Sequence, residues 1–313
     1  MSFCKKIFSI SKEKETHYVM QFLGFRIKFA KSKFARRRKS NPYYYYKKNN
    51  VDITTIPPAE GQTRGIQLAN LALLKEFDRI CSENGLQYWL FAGTALGAVR
   101  HKGFIPWDDD IDTAMPRTDF DRIVETFNQN TRDKNLYAAP YCNTGKNSFI
   151  IKIKHKLCEH IFVDIYAVDY SNEILTKYDQ IKITSEIKCD RAEIYKHQPK
   201  DMPPEECCKL YLALRSKYIK NDTLIEKSDI LLGIEWDHFE KNWFIKYESV
   251  FPLKKTMFEG HEFNSMNVPE DYLSDYYGNY MEYPKKIGFG HCMYLDLTED
   301  EKKVIEDLKR KLS

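Results

Sequence analysis

The chain has 313 residues, 42% of them hydrophobic and 30% charged, with a net charge of +4. That length supports one large or two modest domains whose core needs no cross-links, and the composition is that of a globular protein rather than a disordered or fibrous one. No run of 18 apolar residues occurs, and Met1–Ile10 lacks both an apolar signal-peptide core and a small-residue cleavage site, so neither a spanning helix nor a secretory leader is expected.

The charge is uneven. The first 50 residues hold 14 Lys or Arg against Glu13 and Glu15, a local +12, which leaves −8 on the remainder. A basic arm on a mildly acidic body suits an anionic membrane surface or an acidic glycan; nucleic acid is not expected as a partner. Within the arm, Phe25-Arg26-Ile27-Lys28-Phe29 alternates like a half-buried strand, with Tyr18–Leu23 as its hairpin partner. Arg36–Lys39 and Tyr43–Tyr46 then lead to a linker at Thr54–Pro58, so residues 1–60 read as the arm and 61–313 as the domain proper.

From Arg64 to Asn84 the positions Ile66, Leu73, Leu74, Phe77, Ile80 and Cys81 recur at helical spacing, with Gly85 as a stop. Tyr88–Ala92 reads as a short buried strand, followed by Gly93-Thr94, one or two helical turns over Ala95–Arg100 and a turn at His101–Gly103. Asp108–Met115 reads as a second strand closed by Pro116, then a helix over Asp119–Asn128 and strands at Phe149–Lys154 and Ile161–Val168. Beyond Leu175 the pattern is helical and polar, with one long helix or two expected over Thr223–Val250. A small hairpin is expected around Gly260, and a last helix from Thr298 with Glu301 completing a capping box. The class is therefore α+β, a small mixed sheet flanked by helices over residues 64–170 with a helical part over 171–313. The eight cysteines show no C-x-x-C spacing; neither a zinc site nor a disulfide is expected, Cys207-Cys208 reads as structural, and a reducing cytoplasm is the default.

Trp107-Asp108-Asp109-Asp110-Ile111-Asp112 carries the chemistry. On a strand, Asp108, Asp110 and Asp112 share a face, spaced roughly 6.5–7 Å apart, with Asp109 on the other. Such carboxylates repel one another unless a cation lies between them, and a hard divalent ion, Mg²⁺ or Mn²⁺, suits oxygen ligands. A calcium loop of the EF-hand type is excluded by Thr113, Pro116 and Asp119 at its key places. An aspartyl-phosphate enzyme would need an apolar strand running into the first Asp. The D-x-D of a nucleotide-sugar glycosyltransferase remains open at Asp110-Ile111-Asp112. A strand ending at Gly93-Thr94, a short helix and then D-x-D is the order of a nucleotidyltransferase-type fold. There the small residues let backbone N–H groups approach a phosphate. Asp164, in the apolar run Ile161–Ile165, supplies a third carboxylate, as metal ligand or as base.

The segment from Phe91 to Asp112, FAGTALGAVRHKGFIPWDDDID, closely resembles the signature of the LicD family, phosphotransferases of bacterial surface polysaccharides with fukutin-related eukaryotic relatives. The resemblance extends over roughly Ile66–Pro284. It includes Val163-Asp164-Ile165, Phe251-Pro252-Leu253, Phe258-Glu259-Gly260, Tyr272-Leu273, Tyr277-Gly278 and Tyr283-Pro284. Asp164–Asp169 reads DIYAVD where family members often read DIFPLD. The resemblance implies transfer of a phospho-substituent, such as phosphocholine, from a CDP-linked donor to a hydroxyl of a glycan or lipid-linked glycan, with CMP leaving. The catalytic set is then Asp110, Asp112 and Asp164, and the metal ligands are drawn from these and Asp108. Gly93, Thr94, Arg100 and Lys102 would bind the donor phosphates, Arg100 by a two-pronged contact. Lys285, Lys286 and His291 read as bystanders, Trp107 as packing, and Tyr276, Tyr277, Tyr280 and Tyr283 as core or surface residues rather than a cation cage. Such an enzyme would work in the cytoplasm, peripheral at the inner face of the membrane. The alternatives are the glycosyltransferase and a non-catalytic binding protein anchored by its arm.

Overall fold

The computed structural model describes residues 8–14, 17–22, 25–30, 42–143, 148–171, 175–199, 201–219, 230–233, 244–288, 290–291 and 295–312. Two compact units meet at Ile53/Thr54 in the chain. The first holds an antiparallel sheet of β1 (Phe8–Lys14), β2 (His17–Phe22) and β3 (Phe25–Ala30), followed by α1 (Pro42–Lys48). The expected hairpin is β2–β3, with Phe22 opposite Phe25; its turn, and Arg36–Lys39, lie outside the described residues. The strand β1, rich in Lys and Ser, was not anticipated.

The second unit starts with α2 (Gly61–Glu83), which buries Ile66, Leu73, Leu74, Phe77 and Ile80 as the helical spacing requires. Gly85 takes φ +65 just past its end, a conformation glycine adopts without strain. The sheet then follows. β4 (Trp89–Leu90) pairs antiparallel with β5 (Asp112–Pro116), and β5 pairs in parallel with β8 (Cys158–Tyr170). Between β4 and β5 lies α3 (Ala92–His101); between β5 and β8 lie α4 (Arg117–Asn130), β6 (Leu136–Asn143) and β7 (Ser148–His155). β8 is long enough to use its other edge twice. Its first half pairs with β7, and Val168–Tyr170 pairs with β9 (Ile230–Leu232), which pairs with β10 (Phe244–Ile245). Ile161, Val163, Ile165 and Val168 of β8 are wholly buried, because helices cover the sheet around this strand.

α5 (Lys177–His197) and α6 (Pro204–Tyr218) follow β8; α5 opens on a capping box of Thr176 and Asp179. α7 (Tyr247–Val250), the hairpin β11 (Lys254–Phe258)–β12 (His261–Ser265), α8 (Pro269–Tyr277) and α9 (Glu299–Arg310) complete the unit. The hairpin at Gly260 and the Thr298–Glu301 capping box are as the sequence predicts.

Four expectations need correction. The strand expected over Asp108–Met115 begins only at Asp112, because Asp108 closes a turn on the Ile105 carbonyl (2.9 Å). The strand at Tyr88–Ala92 shortens to two residues, since Ala92, at φ 41, already starts α3. In the stretch expected to be helical over Thr223–Val250, Ile230–Leu232 and Phe244–Ile245 are strands: the apolar run Ile230–Leu232 fills the free edge of β8, and Phe244–Ile245 adds outside it. Trp236, Phe239 and Trp243 lie outside the described residues. Finally, Cys142 on β6 and Cys207 on α6 form a disulfide, which spacing alone could not show because 65 positions separate them. With this pair bonded, the cysteines do not point to a reducing compartment.

Candidate active site

Four carboxylates gather beside the N-terminal half of α2, at the start of α3 and in the middle of the sheet. Two come from strands: the parallel register sets Asp112 of β5 beside Asp164 of β8. The other two come from the preceding loop, whose backbone is gripped from α2. Gln67 donates to the Asp108 carbonyl (2.7 Å) and Asn70 to the Asp109 carbonyl (2.7 Å), while Asn70 also accepts from the Phe162 N–H (2.8 Å). The Asp164 N–H donates to the Ile111 carbonyl (2.8 Å), tying the loop to β8. Asp108 and Asp110 are hydrogen-bonded to each other, and both act on Asp112 or on each other through charge. Asp109 points elsewhere: it is 2% exposed and accepts from the His291 N–H (2.7 Å). The grouping of Asp108, Asp110 and Asp112 thus arises from a loop and not from strand alternation.

The first turn of α3 faces the cluster. The Gly93 N–H donates to the Asp112 carboxylate, and the Asp112 N–H donates to Thr94 Oγ1 (2.8 Å). A Cβ on Gly93 would lie 2.7 Å from Asp108 Oδ2 and 3.7 Å from Asp112 Oδ2, so this position requires glycine for close approach. A helix N-terminus also favours negative charge.

Burial, then the neighbouring carboxylates, push Asp108 and Asp112 well above the usual carboxylate range. Burial lifts Asp164 to about 6 against the pull of Lys152. The Lys152 ammonium, from β7, stands 2.6 Å from Asp164 Oδ1. Tyr166 donates to Asp112; burial, then the carboxylates, raise its ionisation well above normal and keep it a donor. His291 Nδ1 lies 3.5 Å from Asp109 Oδ1 and 3.4 Å from Asp110 Oδ2, which bridges the two.

Arg100 is buried beside the cluster, donates to the Tyr280 carbonyl (2.5 Å) and His101 Nε2 (3.0 Å), and lies 5.9 Å from the Trp107 ring centre. Burial lowers its pKa to about 10 and, with Arg100 alongside, that of His101 to about 4. Lys102 is exposed and left-handed at the end of α3; its carbonyl accepts from the Glu259 N–H (2.8 Å). The structure therefore brings Gly93, Asp108, Asp110, Asp112 and Asp164 together, with Thr94 behind them and Arg100 at the side, and leaves Lys102 at the rim. Sequence reasoning missed Gln67, Asn70, Lys152 and Tyr166, and set His291 aside. The one available signal was Lys152, a cation inside the apolar run Phe149–Ile153.

The donor set is all oxygen and its charge is largely uncompensated, which fits a hard divalent ion. Among the described residues, no three His, Cys, Asp or Glu side chains close into a ready-made cage.

A parallel strand pair carrying Asp112 and Asp164, capped by a glycine-led helix, defines a nucleotidyltransferase-type domain. The family model described as LicD/FKTN/FKRP, nucleotidyltransferase domain, matches residues 85–203. The chain is 30% identical over 241 residues to the lipopolysaccharide cholinephosphotransferase LicD of Haemophilus influenzae, covering 70% of this chain and 91% of that protein. It is also 38% identical over 117 residues to an uncharacterized protein of Rickettsia typhi (34% and 37% covered) and 33% over 109 residues to one of Rickettsia prowazekii (29% and 41%). The chain belongs to the LicD family.

Proposed function

We propose that this protein is a metal-dependent phosphotransferase. It moves a phospho-substituent, such as phosphocholine, from a CDP-linked donor to a sugar hydroxyl of a cell-surface polysaccharide and releases CMP. The observation that carries the reading is the Asp112–Asp164 register with Asp108 and Asp110 gathered against Gly93, in a chain of this family. Asp110 and Asp112, with Asp108, would hold Mg²⁺ or Mn²⁺, which would supply positive charge to the donor diphosphate. The Gly93 turn orients the donor through its backbone, and Arg100 adds positive charge at its side. Asp164 takes the proton of the acceptor hydroxyl. The hydroxyl oxygen bonds to the phosphorus bearing the substituent, and the bond from that phosphorus to the bridging oxygen breaks, its electron pair leaving with CMP.

The test is a donor screen with CDP-choline, other CDP-linked compounds and UDP-sugars. The expected result is free CMP and a phosphodiester on the glycan by phosphorus NMR. Free nucleoside diphosphate with a phosphorus-free product would make the protein a glycosyltransferase and overturn the assignment.

The basic arm supports action at an anionic membrane surface. Among the described residues no helix is long and apolar enough to cross a membrane, so attachment would be electrostatic. Removing Met1–Asn50 takes away the local +12. Binding to vesicles containing phosphatidylserine should then fall and lose its salt dependence, with turnover of a soluble acceptor retained. Unchanged vesicle binding would refute a membrane role for the arm.

A further inference from the structure

Lys152 is 8% exposed in the middle of a strand of isoleucines, a costly place for an ammonium group without a dedicated partner. Its position follows from register. Lys152 of β7 pairs with Asp164 of β8, which pairs with Asp112 of β5. The three are lateral neighbours across three strands, roughly 4.8 Å apart from strand to strand. The ammonium meets Asp164 Oδ1 at 2.6 Å. It also lies 3.6 Å from the centre of the Phe162 ring and 4.8 Å from that of Tyr141. Phe162 is two residues before Asp164 and so shares its face of β8. Two aromatic faces and one carboxylate oxygen thus hold the cation in place, and it holds the carboxylate in turn.

We propose that Lys152 is a positioning residue: it fixes Asp164 so that Oδ2, the oxygen left by the ion pair, faces the Asp110–Asp112 pair and receives the acceptor proton. The proposal rests on the phosphotransferase reading. A pair kept only for stability would be poorly chosen, since apolar residues of similar volume serve a buried site as well or better. What Lys152 adds is an orientation that a water-mobile carboxylate lacks, at the strand position next to the D-x-D.

The experiment is a double-mutant cycle on the full chain, read by nucleotide release in Mn²⁺, with Lys152→Met, Asp164→Asn, the double variant and Lys152→Arg. Lys152→Met is expected to lower kcat about 10²-fold, the scale of one positioned acid–base group. Donor KM should stay within about 3-fold, and Mn²⁺ affinity by electron paramagnetic resonance should not fall, because the carboxylates are untouched and a neighbouring positive charge is removed. In the Asp164→Asn background, Lys152→Met should cost nothing further, since it acts through Asp164. Lys152→Arg should recover part of kcat, and it decides the matter if the Met variant does not fold. Wild-type kcat in Lys152→Met, additive losses in the double variant, or a loss confined to donor KM would each overturn the proposal. If the wild type releases a nucleoside diphosphate instead of CMP, the phosphotransferase reading fails, while the same cycle on that release still decides whether Lys152 acts through Asp164.

Discussion

Asp110→Asn and Asp112→Asn are each expected to lower turnover roughly 10³-fold, the loss that follows when one preorganised electrostatic contact to a developing charge is removed. Chelation should do the same to the wild type. The fold should survive, because each Asn keeps the side-chain volume and one carbonyl acceptor, and Asp112 retains its backbone bond to Thr94. Stability should even move the other way. Burial, then Asp110, raises Asp112 well above its ordinary range, so the folded chain resists its ionisation. A carboxylate raised in this way stabilises fully below its unfolded pKa of about 3.9, and that contribution is lost as pH rises towards the folded value. At neutral pH the metal-free wild type should therefore melt lower than metal-free Asp112→Asn, with the gap closing at pH 4 and on adding Mg²⁺. Full activity of either variant, or an Asp112→Asn protein markedly less stable at pH 7, would refute the account.

Asp169→Asn is expected to cost about 3–5 kcal/mol of stability, on the order of 10 °C in melting temperature for a unit of this size. Asp169 is 1% exposed and accepts from Arg117 Nε and Nη2, both at 3.0 Å, and from Arg215 Nε at 2.8 Å. Removing its charge takes away the carboxylate that these two largely buried guanidinium groups share. Burial raises this carboxyl, yet the two arginines outweigh burial and hold it below the ordinary range. The contribution of a depressed carboxyl is present above the unfolded pKa of about 3.9 and is lost as pH falls through the folded value. Wild type and variant should thus converge in stability under acid. Urea unfolding at pH 7 checks the first point, and a difference below about 1 kcal/mol would show the triad to be no more than a surface-type ion pair. Asp169 closes the motif that starts at Asp164, so one segment carries a chemical carboxylate at one end and a structural one at the other.

Local signals were legible wherever a short stretch determines its own conformation. The apolar spacing over Ile66–Ile80, Gly85 at positive φ and the Thr298–Glu301 box each act within a few residues, and α2, its stop and α9 appear as read. The cluster of Asp108, Asp110, Asp112 and Asp164 was legible too, because carboxylates among apolar residues need a reason. The reason offered for the first three, strand alternation, was not correct. They converge because a turn at Ile105–Asp108 and the amides of Gln67 and Asn70 shape a loop, and those partners lie about forty positions away in sequence.

By itself, then, the sequence determined the basic arm, the helices α2, α4 and α9, the carboxylate set and the resemblance to one family. Those depend on composition, on period and on contiguous motif. Only the tertiary structure decided that Lys152 stands on Asp164, that Asp169 binds two arginines, that Cys142 joins Cys207, and that Ile230–Leu232 is a strand on β8. Each is a pairing between distant segments. It is set by sheet register and by the need of buried charges and free strand edges for partners, and no local propensity encodes which partner that will be.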